Sequence, residues 1–454
     1  MQATLKRIAT ILLTAALAMG LTGCADGTIR LPDTDLAGPR LLVIAPHPDD
    51  ETVGAGGAIA TARRRGWTVT IVYVTSGDGF WQAVRKQGGP FPRPDQMRAY
   101  GERRVAEARR AATDLGVPAS NVIFLGFPDG SESDLWNTNW DSSNPRRATN
   151  GSSSVPYAFA LKSGAPYSGE AVESELEQVI RRVRPTTVLL PDPADVNRDH
   201  WAVAAFAQAA LARTGFAGLS LTYLVHRSDF PATSGLQPTA ALSPPTALSA
   251  GPTRWYSLPL DRREVATQQV ALSEHKTQLH ADGRLVQSFV RANALLGLDS
   301  PTSLGKGSVA FPESHDRVYK TATPSTSISR MLVHRDKTGA VTITAALHGA
   351  VDPSATYVFR ARALDSRGAW HFWSASVIGG KLQAVRDSKL AVTARGQLVS
   401  DAGEAITVRV PAQVFVGAKW LFAGADVLNG ARYDDHAPLQ LIRLVASAPA
   451  GSAR

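Results

Sequence analysis

The segment that decides the fold reads Leu41-Leu-Val-Ile-Ala-Pro-His47-Pro-Asp49-Asp50-Glu51 and runs into a glycine-rich stretch. Its first five residues form an apolar run of strand length. The residues that follow bring an imidazole and three carboxylates to the end of that strand. Imidazole nitrogen and carboxylate oxygen are suitable zinc ligands. The segment therefore indicates a buried strand that ends in a metal-assisted active site.

Strands and helices alternate after this segment. Residues 57–65 predict a helix, and residues 67–74, rich in β-branched side chains, predict a second strand. The alternation continues with helices at 97–115, 170–183 and 201–211 and with strands at 121–126 and 186–191. This order predicts a doubly wound, Rossmann-like α/β domain with a mainly parallel sheet. In such sheets ligands gather at the carboxyl ends of the strands.

Two long polar insertions interrupt the pattern, at residues 80–96 and 131–168. Segments of this length without secondary structure are usually functional lids or disordered loops. They contain the aromatic residues Trp81, Trp136, Trp140, Tyr157 and Tyr167. Such side chains either stack on sugar rings or anchor their loops. Further along, residues 262–296 predict a long helical region that packs against the sheet.

The length and the later pattern predict a second domain. At 454 residues the chain is too long for one ordinary domain. From about residue 325, period-2 alternation and turn residues predict an all-β sandwich or jelly roll. We therefore expect an α/β domain at 40–322 and a β domain at 323–446. The sequence leaves three roles possible for the β domain: it binds carbohydrate, covers the active site or acts as a spacer. Trp370 and Trp373 are either a platform for stacking on sugars or residues of the domain core.

The N-terminus has the layout of an export signal. Lys6 and Arg7 precede an apolar stretch at 8–21, which ends in Leu-Thr-Gly-Cys24 with the single cysteine of the chain. The stretch is too short for a membrane span, which needs about 20 apolar residues. Leu-Thr-Gly-Cys resembles the bacterial lipobox, which implies a signal peptide at 1–23, lipid on Cys24 and a tether at 24–39. An ordinary signal peptide that contains a cysteine is the alternative.

Charge and export together limit the partners. The 48 basic and 39 acidic residues give a formal net charge of +9. The excess is spread along the chain rather than clustered, so no nucleic-acid partner is predicted. A lipid on Cys24 predicts a protein that is exported and anchored to a membrane of the bacterial cell envelope.

The spacing of His47 and Asp50 lets both side chains reach one ion if they lie on the first turn after a strand. A catalytic zinc site needs a third protein ligand and one open position. The best-placed candidate is His200, which follows the strand at 186–191 and opens the next helix; His315 remains open. Asp49 points elsewhere and can act as general base towards a water. The simpler reading is that the aspartates cap a helix and His47 packs locally.

Five motifs in order resemble the LmbE-like, or PIG-L, superfamily of zinc-dependent N-acetylglucosaminyl deacetylases. The resemblance covers about residues 40–320, and its motifs are residues 45–51, 74–79, 104–107 with 115–117, 124–130, and 199–200. It implies that His47, Asp50 and His200 bind one Zn²⁺, or another divalent metal, with Asp49 as general base.

The resemblance also assigns residues to the substrate. It implies that Arg104 and Asp129 hold polar groups of an N-acetylated glycan or glycolipid. The alternatives are a solvated arginine on an Arg-rich helix and turn chemistry in Pro-Asp-Gly. One position departs from the family pattern, because Asn197 stands where a histidine commonly steadies the oxyanion. Its amide can donate a hydrogen bond to an oxyanion but cannot act as an acid.

These residues predict hydrolysis of an N-acyl amide, with N-acetyl on an envelope amino sugar as the expected substrate. Two other functions stay open. One is a lipid-anchored, glycan-binding module with a degenerate deacetylase fold, which Asn197 favours and the intact set of His47, Asp49, Asp50 and His200 opposes. The other is an amidohydrolase that acts on a non-sugar N-acyl substrate.

Overall fold

The computed structural model describes residues 28–30, 38–249, 253–305, 307–312, 322–384, 396–401, 403–430 and 432–445. The predicted signal peptide at 1–23, its lipidation site Cys24, most of the tether and His315 lie outside these ranges. Within them, no helix combines the length and the apolar character that a membrane span requires.

The helices in the described ranges are α1 (Asp50–Val53), α2 (Gly56–Arg64), α3 (Trp81–Gly88), α4 (Pro94–Asp114), α5 (Glu132–Asn137), α6 (Gly169–Val183), α7 (Arg198–Thr214), α8 (Thr246–Ser249), α9 (Arg262–Glu274) and α10 (Lys276–Gln287). The strands of the first domain are β1 (Ile29–Arg30), β2 (Arg40–Ala45), β3 (Thr68–Thr75), β4 (Val122–Phe127), β5 (Thr187–Pro191), β6 (Leu219–Tyr223), β7 (Trp255–Pro259) and β8 (Asn293–Leu298).

These eight strands form one sheet in the order β1-β7-β8-β6-β5-β2-β3-β4. The central strands β2 to β6 pair in parallel, while β8 runs antiparallel between β6 and β7. The predicted mainly parallel α/β fold is therefore confirmed. From β2 the chain winds outward through β3 and β4, then returns to the other side of β2 as β5. The neighbours β2 and β5 thus flank the crevice where such sheets bind ligands.

Three local expectations differ from the structure. The helical region predicted at 262–296 ends with α10, and its last residues form the strand β8, whose leucines are buried in the sheet. The strand β1 lies within the predicted tether and pairs with β7. The insertions are partly helical, because α3 packs Ala83 and Val84 against the following helix α4 and α5 buries Leu135 and Trp136.

The second domain is a sandwich of two sheets. Its strands are β9 (Thr302–Leu304), β10 (Gly307–Pro312), β11 (Ile328–Arg335), β12 (Val341–Leu347), β13 (Thr356–Asp365), β14 (Trp370–Ile378), β15 (Lys381–Ala384), β16 (Gln397–Ser400), β17 (Ala405–Val410), β18 (Ala418–Asn429) and β19 (Arg432–Leu444). One sheet has the order β10-β11-β12-β17-β16 and the other β15-β14-β13-β18-β19-β9. Apolar side chains from both sheets form a shared core.

The β sheets begin earlier than the predicted boundary at residue 323. The strand β9 pairs in parallel with β19, and β10 pairs with β11. Both strands lie in the segment that was expected to finish the α/β domain. They are short and carry little alternation of their own, so only their pairing with distant strands reveals them.

The two domains share one continuous aromatic core. Trp136 and Trp140 of the second insertion pack against Trp370 of β14, with ring centroids 6.2 and 5.7 Å apart. The guanidinium of Arg362 lies 4.6 Å from the Trp136 ring. Trp370 also donates its indole N–H to Glu173 of α6 at 3.0 Å, while Trp373 is 7% exposed in the sandwich core. Trp136, Trp140, Trp370 and Trp373 are therefore packing residues.

Candidate active site

The first part of the site is the turn between β2 and α1. The backbone N–H of His47 donates to Asp50 Oδ2 at 2.8 Å, and His47 Nδ1 lies 3.2 Å from the same oxygen. Asp49 precedes α1 but makes no side-chain capping bond to it. The reading in which these aspartates act only as helix caps therefore does not describe the turn. Its hydrogen bonds instead hold the His47 imidazole and the Asp50 carboxylate together.

The second part of the site is the first turn of α7, next to the end of β5. His200 is fully buried there, and its Nε2 lies 3.2 Å from Asp50 Oδ2. Its other ring nitrogen, Nδ1, lies 3.0 Å from Asp195 Oδ2. Burial opposes a charged ring, but Asp195 and Asp50 outweigh it and raise the pKa of His200 to about 10. The two carboxylates thus orient the imidazole from opposite sides.

His47, Asp50 and His200 offer ligand atoms that all lie within 4.8 Å of one another. His200 Nε2 makes no hydrogen bond of good geometry, although it is buried close to the Asp50 carboxylate. Buried imidazoles crowded around a carboxylate are the donor set that a divalent cation such as zinc prefers. These three predicted residues therefore fit a metal ion.

Asp49 and Arg104 form a buried ion pair beside this cluster. Arg104 Nη2 donates to Asp49 Oδ1 at 2.9 Å, and Arg104 Nη1 donates to the carbonyl of Gly77 at 3.1 Å. Burial raises the pKa of Asp49, and the charge of Arg104 opposes that rise. The Arg104 side chain is only 4% exposed. It lines the pocket, but its hydrogen bonds to the protein make it a support for Asp49 in this structure, not a solvated surface arginine.

Asp129 lies next to the ring nitrogen of His47 that faces away from Asp50. Its Oδ1 is 3.3 Å from His47 Nε2, and its Oδ2 accepts the backbone N–H of Gly79 at 3.0 Å. Burial opposes ionisation, but His47 and Arg104 outweigh it and lower the pKa of Asp129 to about 2. Asp199 approaches the same imidazole nitrogen at 3.2 Å and accepts the backbone N–H of Gly130. Asp129 therefore does more than shape its turn.

Asn197 caps α7. Its side-chain oxygen accepts the backbone N–H of Asp199 at 2.9 Å, as expected for an N-cap residue. The capping bond uses the oxygen and leaves the amide N–H groups for other partners. Asn197 also lines the pocket. Asn197 can therefore shape this turn and donate a hydrogen bond into the pocket at the same time.

Sequence reasoning missed His226 and Asp195. The run that contains His226 was interpreted as a strand, but β6 ends at Tyr223 and His226 follows in the loop. Its ring lies 4.4 Å from that of His200, and Asp195 accepts its backbone N–H at 3.0 Å. The position of β6 next to β5 was the available signal, because the loop after β6 must then lie at the same edge of the sheet as the loop after β5.

One cavity of about 520 Å³ is lined by most of these residues, namely His47, Asp49, Asp50, Arg104, Asp129, Asn197, Asp199 and His226. His200 and Asp195 are buried outside its lining. The strand-end loops form its floor, and Phe80, Gln82, Gln278, Asp282 and Leu285 contribute to its wall. These wall residues come from the first insertion and from α10. The cavity is large enough for a small organic ligand.

Part of the chain is similar to a known protein family. Residues 42–211 match the family model PIG-L, described as GlcNAc-PI de-N-acetylase. The matched range includes most of β2, the turn after it and the first turn of α7. Residues 42–211 are thus similar to the PIG-L family. The match covers the part of the chain that carries every predicted site residue inside the described ranges.

Curated relatives are similar in sequence to this part of the chain at moderate identity. The chain is 30% identical over 184 residues to 1D-myo-inositol 2-acetamido-2-deoxy-alpha-D-glucopyranoside deacetylase from Tsukamurella paurometabola, covering 40% of this chain and 57% of that protein. A deacetylase of the same name from Saccharopolyspora erythraea is 33% identical over 156 residues, covering 34% and 46%. The chain therefore spans about half the length of these relatives.

Among solved structures, N,N'-diacetylchitobiose deacetylase from Pyrococcus horikoshii is similar to this chain at 19% identity and a TM-score of 0.32. The alignment covers 60% of this chain and 79% of that one. At this level of similarity the structural likeness adds nothing to the sequence match over residues 42–211.

Proposed function

We propose that this protein hydrolyses the N-acetyl amide of an N-acetylglucosamine-containing envelope glycan or glycolipid. The observation that carries the proposal is the convergence of His47, Asp50 and His200 on one point. His47, Asp50 and the neighbouring Asp49 carboxylate line one cavity, and His200 is buried against Asp50. The PIG-L match and the relatives that are deacetylases of an acetamido sugar support the substrate class.

His47, Asp50 and His200 would hold the metal, with Zn²⁺ as our proposal. A bound divalent metal supplies Lewis acidity, which polarises a carbonyl and makes a water more acidic near neutral pH. The protein has already brought the ligand atoms together, because hydrogen bonds from His47 fix Asp50 and Asp195 fixes His200. The site therefore needs little rearrangement to bind an ion.

The side chains around the cluster suit the remaining steps of amide hydrolysis. Asp49 accepts a proton from the attacking water as the new C–O bond forms. The Asn197 amide donates a hydrogen bond to the oxygen that gains negative charge. Asp49 then returns the proton to the amine nitrogen as the C–N bond breaks, since Asn197 cannot supply one. The products are acetate and a free amine, and Arg104 holds Asp49 throughout.

The test is release of acetate from a panel of N-acetylated envelope glycans, glycolipids and small N-acetylglucosaminides. We expect release that a chelator abolishes and added zinc restores. Tight glycan binding without acetate release would support the binding-module alternative. Release from non-sugar N-acyl amides alone would support the other amidohydrolase.

We further propose that the protein works in the bacterial cell envelope and is anchored through a lipid on Cys24. The support is the sequence alone, in which basic residues, an apolar stretch and Leu-Thr-Gly-Cys24 follow one another. Two or more acyl chains would anchor the protein stably, whereas one gives marginal binding. Radiolabelled palmitate should enter the wild-type chain and be absent from Cys24→Ser, which should also leave the membrane fraction.

A further inference from the structure

The β domain packs against the helix that carries part of the active site. Two residues of β19 contact the first turn of α7. The Tyr433 ring lies 4.3 Å from the guanidinium carbon of Arg198, and the His436 ring stacks on Trp201 with centroids 4.2 Å apart and planes 17° from parallel. Arg198 and Trp201 are three residues apart and therefore share one face of the helix. Between them lie Asp199 and His200.

An irregularity in β19 makes this double contact possible. Tyr433 and His436 are three positions apart, so an unbroken strand would direct their side chains to opposite faces. The pairing with β18 shifts register here, with Leu428 opposite Tyr433 and Val427 opposite Asp435. Asp434 is thus an extra residue, and Tyr433 and His436 share a face. Bulges commonly re-aim side chains next to active sites.

Residues of the neighbouring strands hold His436 in place. It lies directly across from Asp426 in the paired strands, and its Nδ1 contacts the Asp426 carboxylate. Asp426 also forms an ion pair with Arg360 of β13. The side chain of His436 is 13% exposed. The contact with Trp201 is therefore anchored across three strands of the sandwich.

Arg198, which contacts Tyr433, also reaches the cavity. It lines the pocket, and its Nη2 lies 3.3 Å from Asp134 of α5. Tyr433 thus covers a guanidinium that Asp134 holds by charge. Trp201 is 2% exposed and belongs to the core shared by both domains. Tyr433 and His436 therefore contact the same face of the first turn of α7, through Arg198 and Trp201 respectively.

We propose that Tyr433 and His436 are positioning residues, which act through Arg198 and Trp201 to fix the turn that carries Asp199 and His200. The β domain is then a structural part of the active site. This role differs from carbohydrate binding and from spacing. The expected effect of these residues on catalysis rests on the proposed deacetylase function. Their expected effects on the rigidity of the α7 turn and on metal affinity do not.

The test uses the full-length chain with Tyr433→Ala and His436→Ala, singly and together. Tyr433→Phe and His436→Phe keep a ring in place and serve as conservative variants. Val408→Ala, which opens a cavity in the other sheet of the sandwich, is the control for general loss of stability. Three quantities are measured: amide hydrogen exchange in residues 198–201, zinc affinity by competition with a chromophoric chelator, and kcat and KM for acetate release.

We expect the double alanine variant to exchange faster in this turn and to bind zinc about 10-fold more weakly, the low end of losses for groups that orient metal ligands. The conservative variants should stay within about twofold of wild type, and Val408→Ala should melt earlier without losing zinc affinity. Wild-type exchange and affinity in the double alanine variant would overturn the proposal, as would equal losses in Val408→Ala. Absence of acetate release from wild type would refute the proposed function and leave the exchange test decisive.

Discussion

Asp195 binds both His200 and His226, with one carboxylate oxygen 3.0 Å from His200 Nδ1 and 3.0 Å from the backbone nitrogen of His226. One side chain therefore links the loops that follow β5 and β6. The charge of His200 outweighs burial and holds the pKa of Asp195 far below its ordinary value. A carboxylate behind a ligating imidazole sets its tautomer and its orientation.

Replacing Asp195 by Asn should therefore weaken metal binding. We expect zinc affinity to fall about 10- to 100-fold, because the amide is neutral and orients His200 less firmly. The measurement is zinc competition against a chromophoric chelator. Asp192→Asn is the matched control, since Asp192 lies in the same loop but binds Thr222 and the backbone of Ala194. Equal losses in both variants would contradict the assigned role.

Replacing Asp49 by Asn should remove the proposed general base. Acetate release is expected to fall about 10³-fold, within the range for a positioned proton acceptor. Zinc content should remain that of wild type, because Asp49 is outside the proposed ligand set. Asp114→Asn, at the exposed end of α4, is the control. An Asp49→Asn protein with activity near wild type would rule out this assignment.

The domain interface predicts a pH dependence of stability. Burial raises the pKa of Glu173 from 4.5 to about 7, and Trp370 donates its indole N–H to the carboxyl group. Between these values the folded state keeps a proton that the unfolded chain has lost. The free energy of unfolding should therefore fall as pH rises from about 4.5 to about 7 and then level off, by at most about 3 kcal/mol.

Denaturant unfolding of wild type and of Glu173→Gln at several pH values checks this dependence. The glutamine keeps the acceptor for Trp370 but does not titrate. We expect the stability difference between the two proteins to change across that window and to be constant above it. A constant difference from pH 4.5 to 8 would mean that Glu173 does not titrate there.

Trp136 predicts how strongly the two domains depend on each other. It is fully buried and packs edge-to-face against Phe206 of α7 and Phe422 of β18, with centroids 4.9 and 5.1 Å apart. Trp136→Ala should cost about 3–5 kcal/mol of unfolding free energy. Trp81→Ala, at a site 38% exposed, should change it by about 0.5 kcal/mol or less. Calorimetry should show both domains of Trp136→Ala losing stability together.

Much of the α/β domain was predictable because each strand end is marked in the sequence by an apolar run followed by polar residues. The apolar run before His47 and the strand before His200 placed both histidines at one sheet edge, and the structure brings them within reach of Asp50. The pairing of Arg104 with Asp49 was not predictable, since it joins residues far apart in the chain whose separation depends on how α4 packs. His226 was missed because it was expected inside a strand, whereas that strand ends at Tyr223.

The β domain was predictable as a class but not in its attachments. Period-2 alternation indicated strands such as β12 and β17, whose inward residues are buried. The alternation says nothing about which outward residues meet another domain. Trp370, Tyr433 and His436 look like ordinary strand residues until α6 and α7 are placed against them. The register shift at Asp434 has no local sequence signature either.

The parallel pairing of β9 with β19 has a consequence for biosynthesis. The strand β9 leaves the ribosome soon after the α/β domain, but its partner is the last strand of the described chain. The sandwich therefore cannot close until β19 has been made. Contacts between such distant segments form late, because chain entropy opposes them. A chain that terminates before β19 would lack the residues that support α7, so the active site is expected to be finished only after β19 has been made.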